Sequence, residues 1–200
     1  MYRLEWGLEM DKKQVRRDLR TALAQFAATP AKAREDQALL AQLKKSKLLE
    51  QANTIGVTIS LPIEVDTSQL IANLWEQGKS VYLARVTPQP QLEFVKYRYN
   101  SRLRPTKMGV LEVVDKQAEV KNNLDLIIVP GLAYDLQQHY RLGFGGGYYD
   151  RFLAAHPEIK TVSLVNQVMA FQKPTWPVES FDIPVQTLIT PTAILGDNYE

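Results

Sequence analysis

Asp125-Leu126-Ile127-Ile128-Val129-Pro130-Gly131 places an unbroken aliphatic run against a pair of residues that ends regular structure. A strand with one face in water alternates apolar and polar residues. This one does not, so both of its faces must be covered, as happens in a parallel sheet held between helical layers. Similar short runs flank it. Thr54 to Leu61 (TIGVTISL) is β-branched and closed by Pro62, and Ser80 to Val86 (SVYLARV), Thr161 to Val165 and Thr187 to Thr190 read the same way. Gln91–Val95 and Leu111–Val114 are weaker strands among Arg- and Pro-rich loops.

Helical periods lie between these strands. Asp11 is an N-cap for a helix over 12–27 with Val15, Leu19, Ala22, Leu23 and Phe26 on one stripe. A second helix is expected over 31–51. A third is expected over 67–77, with Leu70, Ile71, Leu74 and Trp75 inward and Gly78 as its stop. A fourth begins at Tyr148. Helices alternating with doubly buried strands predict an α/β protein with an open sheet. Ligands in such folds sit beyond the carboxyl ends of strands, so chemistry is expected after Val129.

The segment beyond Val129 fits that expectation. Arg141-Leu142-Gly143-Phe144-Gly145-Gly146-Gly147-Tyr148-Tyr149-Asp150 packs four glycines into five residues, a composition that no strand or helix interior would keep. Bare N–H groups can turn into a concave nest for an anion, with no Cβ to hold phosphate oxygens away. Arginine, two tyrosines and a carboxylate flank the nest, whereas a flexible linker would favour Ser and Lys. The loop lacks the Gly-Lys-Ser/Thr ending of a Walker A motif, and its glycines are not spaced as in a dinucleotide fingerprint.

Composition narrows the classes. The chain has 200 residues, 45% hydrophobic and 23% charged, the balance of an ordinary folded domain, and a net charge of +2. No global basic field suggests nucleic acid. The absence of cysteine excludes disulfides and thiolate chemistry, and fits a reducing, cytoplasmic setting. No apolar stretch approaches the roughly eighteen residues of a membrane helix. Residues 1–9 read as an N-terminal extension preceding a single domain over 10–200.

Other segments supply polar groups. Lys12, Lys13, Arg16, Arg17 and Arg20 crowd the start of the first helix, where cations oppose the helix dipole. They form either a solvated basic face or a polyphosphate site. Glu64 follows a buried strand and has no capping role to explain it, unlike Asp66 and Thr67. A carboxylate there can accept the paired N–H donors of a heterocycle. Asp150 and Asp182 are either turn-supporting residues or magnesium ligands, since Mg²⁺ uses one or two carboxylates beside substrate phosphates.

Five segments in this order resemble the 5-formyltetrahydrofolate cyclo-ligase family: Lys12-Lys13-Gln14-Val15-Arg16, Glu64-Val65-Asp66-Thr67, Met108-Gly109-Val110-Leu111-Glu112, Val129 to Asp135, and Arg141 to Arg151. The resemblance implies a three-layer α/β fold, an open mostly parallel sheet with flanking helices, similar to ribose-5-phosphate isomerase and CoA transferases. It also implies ATP- and Mg²⁺-dependent closure of 5-formyltetrahydrofolate to 5,10-methenyltetrahydrofolate, with the formyl oxygen phosphorylated and N10 closing the ring.

By the same resemblance, Lys12, Lys13, Gln14, Val15, Arg16 and the run Arg141, Leu142, Gly143, Phe144, Gly145, Gly146, Gly147, Tyr148, Tyr149 would bind ATP. Glu64, Tyr148 and Tyr149 would meet the folate, Arg141 and Tyr149 would be catalytic, and Asp150 and Asp182 would hold magnesium. The expected partners are these small molecules, with neither nucleic acid nor membrane, and the expected assembly is a monomer or weak homodimer. The competing reading is an ATP-independent sugar-phosphate isomerase that uses the nest for a monophosphate. One departure stands out. The family's glycine between Asp135 and Arg141 is missing from Leu136-Gln137-Gln138-His139-Tyr140, and the interval is one residue longer, so the turn must be built differently.

Overall fold

A computed structural model of the chain describes residues 11–196. The extension expected over residues 1–9, with Trp6 inside it, lies outside the described residues. The DLIIV run forms β6 (Leu126–Ile128) at the middle of a seven-stranded sheet. β6 pairs in parallel with β1 (Thr54–Val57) on one side and with β9 (Lys160–Leu164) on the other. Beyond β1 come β2 (Ser80–Val86), parallel, and β3 (Leu92–Tyr97), antiparallel. Beyond β9 come β11 (Thr187–Ile189), parallel, and β12 (Ile194–Leu195), antiparallel. The chain winds outward from β1 to β2 and returns through β6 on β1's other flank. The seam between β1 and β6 is therefore the topological switch point, where a crevice opens at the carboxyl ends of the strands.

Both faces of the sheet are covered. Successive strand residues point to opposite sides. Ile127 and Val129 accordingly join α1 (Lys12–Ala27) and α5 (Tyr148–Ala155) through Val15, Leu19, Leu23, Phe152 and Leu153. Leu126 and Ile128 face α2 (Pro30–Lys45), α3 (Lys47–Gln51) and α4 (Ser68–Glu76) through Leu39, Leu43, Leu49, Leu70 and Leu74. This is the expected three-layer α/β arrangement. Gly56 of β1 lets the Phe94 ring lie on the sheet, since a Cβ there would sit 2.7 Å from Phe94 Cε1.

Several boundaries differ from the sequence expectation. The helix expected over 31–51 breaks at Ser46, whose ψ of 134° leaves the helix and whose hydroxyl caps α3 by accepting from Leu49 N–H. The strand expected to reach Leu61 stops at Val57. Thr67 draws the following segment into a loop, its hydroxyl donating to Thr58 O (2.8 Å) and accepting from Ser60 N–H (3.1 Å). Thr67 stands at the N-cap of α4 without capping it through its side chain. Trp75 is half-buried, its ring tilted 54° against that of Tyr97 and its indole donating to Tyr97 O.

Short strands with no periodic signature complete the fold. β4 (Leu103–Pro105) and β5 (Leu111–Val113) form a hairpin, and β7 (Ala133–Asp135), β8 (Arg141–Leu142) and β10 (Ala170–Phe171) form a small sheet. Among the described residues no helix is long and apolar enough to cross a membrane.

Candidate functional site

A cavity of about 590 Å³ opens beyond the carboxyl ends of β1, β2 and β6, with Thr58, Val86 and Pro130 in its wall. One side of it is the glycine loop. Arg141 and Leu142 belong to β8, and α5 starts immediately after Gly147. Gly145 and Gly147 have φ of +107° and +62°, a left-handed backbone that only glycine adopts without strain. None of the N–H groups from Gly143 to Gly147 donates to another described residue. The α5 N-terminus has no side-chain cap. Loop and helix end together present backbone donors to the cavity, the arrangement that suits phosphate oxygens.

The first helix supplies cations to the same wall. Arg16 Nε donates to Gly143 O at 2.8 Å, and its guanidinium lies 3.5 Å from where a Gly145 Cβ would be. Burial lowers its pKa, and the nearby Asp182 and Asp150 partly oppose that. Lys12 Nζ donates to Asp182 Oδ2 (2.7 Å). Not all of the basic segment arrives here. Val15 is fully buried in the core beneath α1, so its side chain cannot reach a ligand. Lys13 and Gln14 face an outer groove and not the cavity.

Arg141 is 5% exposed, and Nη1 donates to Asp150 Oδ1 (3.0 Å) and Ile183 O (2.9 Å). Its Nε is buried without a partner among the described residues, as is the Tyr149 hydroxyl. The Arg141 guanidinium lies 5.9 Å from the Tyr149 ring centroid. Two orphaned polar groups side by side in a cavity wall would be costly unless a ligand meets them. Burial, first of all, and the nearby Glu64 push the Tyr149 phenol up, so it keeps its proton.

Asp150 and Asp182 both reach the cavity wall, and each is also tied to backbone: Asp182 to a local turn, Asp150 not to the start of α5 but to a segment 33 residues away. Asp150 accepts from Ile183 N–H (3.1 Å) and Asp182 from Glu179 N–H (2.8 Å). Among the described residues no three His, Cys, Asp or Glu side chains cluster as a protein-only metal site. Two oxygen donors from protein, with phosphate oxygens completing the shell, are nevertheless what magnesium takes. The residues present fit such an ion.

Across the cavity from the glycine loop, Glu64 sits in the loop between β1 and α4 and is 9% exposed. Its Oε2 accepts from Leu61 N–H at 2.6 Å. Burial raises its pKa from 4.5 to about 7, with the Leu61 bond pulling the other way. Tyr148 lies between loop and cavity, with the Arg151 guanidinium 5.2 Å from its ring centroid.

The β4–β5 hairpin walls the cavity through Thr106, Lys107, Met108, Val110 and Glu112, and Glu179 and Phe181 line its rim. Residue chemistry gave none of these a role in the site. The Met108–Glu112 match was the available signal. The interval from Asp135 to Arg141 resolves as a hairpin loop. Asp135 Oδ1 and Oδ2 accept from Gln137 and Gln138 N–H, and His139 takes φ +62° in place of the missing glycine. His139 is pinned by Val185 N–H donating to its carbonyl (3.0 Å), and its Nδ1 lies 3.1 Å from Val185 O.

The family model described as the 5-formyltetrahydrofolate cyclo-ligase family matches residues 9–191. The 5-formyltetrahydrofolate cyclo-ligase of Escherichia coli K12 is 35% identical over 152 residues, covering 72% of this chain and 80% of that one. The mouse enzyme of the same name is 29% identical over 191 residues, covering 87% and 92%. The solved structure of Aquifex aeolicus 5,10-methenyltetrahydrofolate synthetase superposes with a TM-score of 0.77 at 25% identity, covering 96% of each chain. The fold, the cavity at its switch point and these matches lead to one assignment: the chain belongs to the 5-formyltetrahydrofolate cyclo-ligase family.

Proposed function

We propose that this protein converts 5-formyltetrahydrofolate to 5,10-methenyltetrahydrofolate at the expense of ATP, releasing ADP and phosphate. The observation that carries the reading is convergence: an amide nest, cations and a nearly buried carboxylate line one cavity. A formyl oxygen is a poor leaving group until it carries a phosphoryl group, and that transfer needs positioning and charge stabilisation more than covalent help. The backbone from Gly143 to Gly147 and the cations Lys12 and Arg16 would hold the triphosphate. Arg141, fixed by Asp150 and Ile183, would stabilise the charge that develops during transfer.

Tyr149 would donate its hydroxyl beside Arg141, and Tyr148 would wall the folate. Glu64 would accept the paired N–H groups of the pterin ring. Asp150 and Asp182 would hold magnesium, which neutralises phosphate charge when bound. Closure by N10 is intramolecular, so the site need only orient the chain of the substrate.

The test is a turnover assay with 5-formyltetrahydrofolate, ATP and Mg²⁺, following the absorbance of the methenyl product. Product is expected with all three and none without ATP. Folded protein that turns over a sugar phosphate without nucleotide, and leaves the folate untouched, would overturn the proposal in favour of the isomerase reading. The basic α1 supports the ligase, because a monophosphate does not call for Lys12 and Arg16 in addition to the nest.

A further inference from the structure

We infer that Asp36, on α2 outside the cavity, is a positioning residue that sets the place of Glu64 and hence the affinity for the folate heterocycle. The inference rests on the reading of Glu64 given above. The loop from Thr58 to Thr67 closes on itself at two points. Leu61 N–H donates to Glu64 Oε2 and Glu64 N–H to Leu61 O (2.9 Å), while Ser60 and Thr67 exchange two further bonds. These fix the loop's shape but do not fix where the folded loop stands against the rest of the molecule.

Docking comes from α2. Asp36 Oδ2 accepts from Asp66 N–H at 3.1 Å, two residues beyond Glu64. The same oxygen pairs with Lys32 Nζ one turn earlier on α2. The pair is almost closed to solvent, with side-chain exposures of 11% for Lys32 and 9% for Asp36. Asp36 Oδ1 is buried without a partner among the described residues. Burying a charge pair is seldom a net gain over apolar residues of the same shape. A carboxylate kept there with one oxygen unsatisfied points to a task other than stability. That task is to present one acceptor, held in place by Lys32, to the Glu64 loop. Val65 adds apolar anchorage in the same cluster as Leu39 and Leu43 of α2, but a buried side chain alone does not set the register of a backbone N–H.

The test compares two paired variants that both lack the buried charges. Lys32→Met with Asp36→Asn keeps an acceptor for Asp66 N–H, and Lys32→Met with Asp36→Leu removes it. Melting temperatures of the two are expected to be similar. The Leu pair should raise KM for 5-formyltetrahydrofolate about fivefold over the Asn pair, the scale of one lost hydrogen bond, with KM for ATP unchanged. Asp36→Ala in the Lys32→Met background gives the same comparison should the Leu pair fail to fold. Equal folate KM values in the two pairs, or folate and ATP values rising together, would overturn the inference. Glu64→Gln in the same assay separates the two claims. An unchanged folate KM there removes Glu64 from the folate site and takes the role of Asp36 with it, whereas a raised KM with equal pairs removes Asp36 alone.

Discussion

The two sides of the cavity are built on opposite principles. On the glycine-loop side, charge is plentiful and already partnered: Lys12 with Asp182, Arg141 with Asp150, Arg16 on a loop carbonyl. On the other side a single carboxylate, Glu64, stands nearly buried with one backbone donor for company, and its pKa rises to about 7. The first side would recognise its ligand by the number and spread of donors, so losing one peripheral cation changes little. The second would recognise its ligand by one desolvated group, so its geometry matters more than its charge count.

The sharpest break in this contrast comes where charge is buried on the first side. Arg141→Ala leaves Asp150 and the Ile183 carbonyl without their cation. Turnover should fall about a thousandfold, and stability by about 3 kcal/mol. Arg141→Lys, measured beside it, should recover stability more than turnover, because one ammonium cannot serve both partners and still face the cavity.

Glu64→Gln tests the second side. Folate KM should rise about thirtyfold, the scale of a hydrogen bond to a charged group, with ATP KM little changed. Stability should move the other way. The Glu64 pKa is raised in the fold, from 4.5 to about 7, so the stability of the neutral acid is present below 4.5 and is lost as pH climbs through 7. Above that the wild type carries a cost of about 3 kcal/mol that glutamine avoids. Melting curves should coincide near pH 4 and separate in favour of Glu64→Gln above pH 7. A variant no more stable at high pH would show that Glu64 is not held in a desolvated place.

Tyr149→Phe sits between the two sides and should lower turnover about tenfold, as loss of one cavity donor does. It should leave melting unchanged or slightly higher, since the deleted hydroxyl has no partner among the described residues. The smallest effect is expected for Lys13→Ala, whose side chain faces away from the cavity. Its ATP KM should stay within about twofold, the scale of an exposed charge contact.

Legibility in the sequence divides along similar lines. Long periodic segments declared themselves: α1, α4 and α5 lie within a residue of expectation, and Leu126–Ile128 is buried on both faces. The glycine loop was legible because its composition has few other uses. The strands β7, β8 and β10 were not, because two or three residues carry no period and their pairing comes from distant turns. His139 was illegible for a different reason. Its left-handed backbone is normally a glycine's, and here contacts with both the N–H and the carbonyl of Val185 hold it instead. The hairpin wall at Thr106–Glu112 escaped notice as part of the site because neither Met108 nor Val110 carries reactive chemistry.

The setting of Glu64 has a calorimetric consequence. An acid that titrates near 7 is about half protonated at neutral pH. If Glu64 meets the folate as proposed, accepting two N–H groups from the heterocycle would require the carboxylate, and binding would expel the remaining proton into the medium. The heat of folate binding near neutral pH should therefore depend on the ionisation enthalpy of the buffer, and less so as pH rises. In Glu64→Gln that buffer dependence should vanish. Substrate capture by this chain would then carry its own record of protonation, legible without any turnover at all.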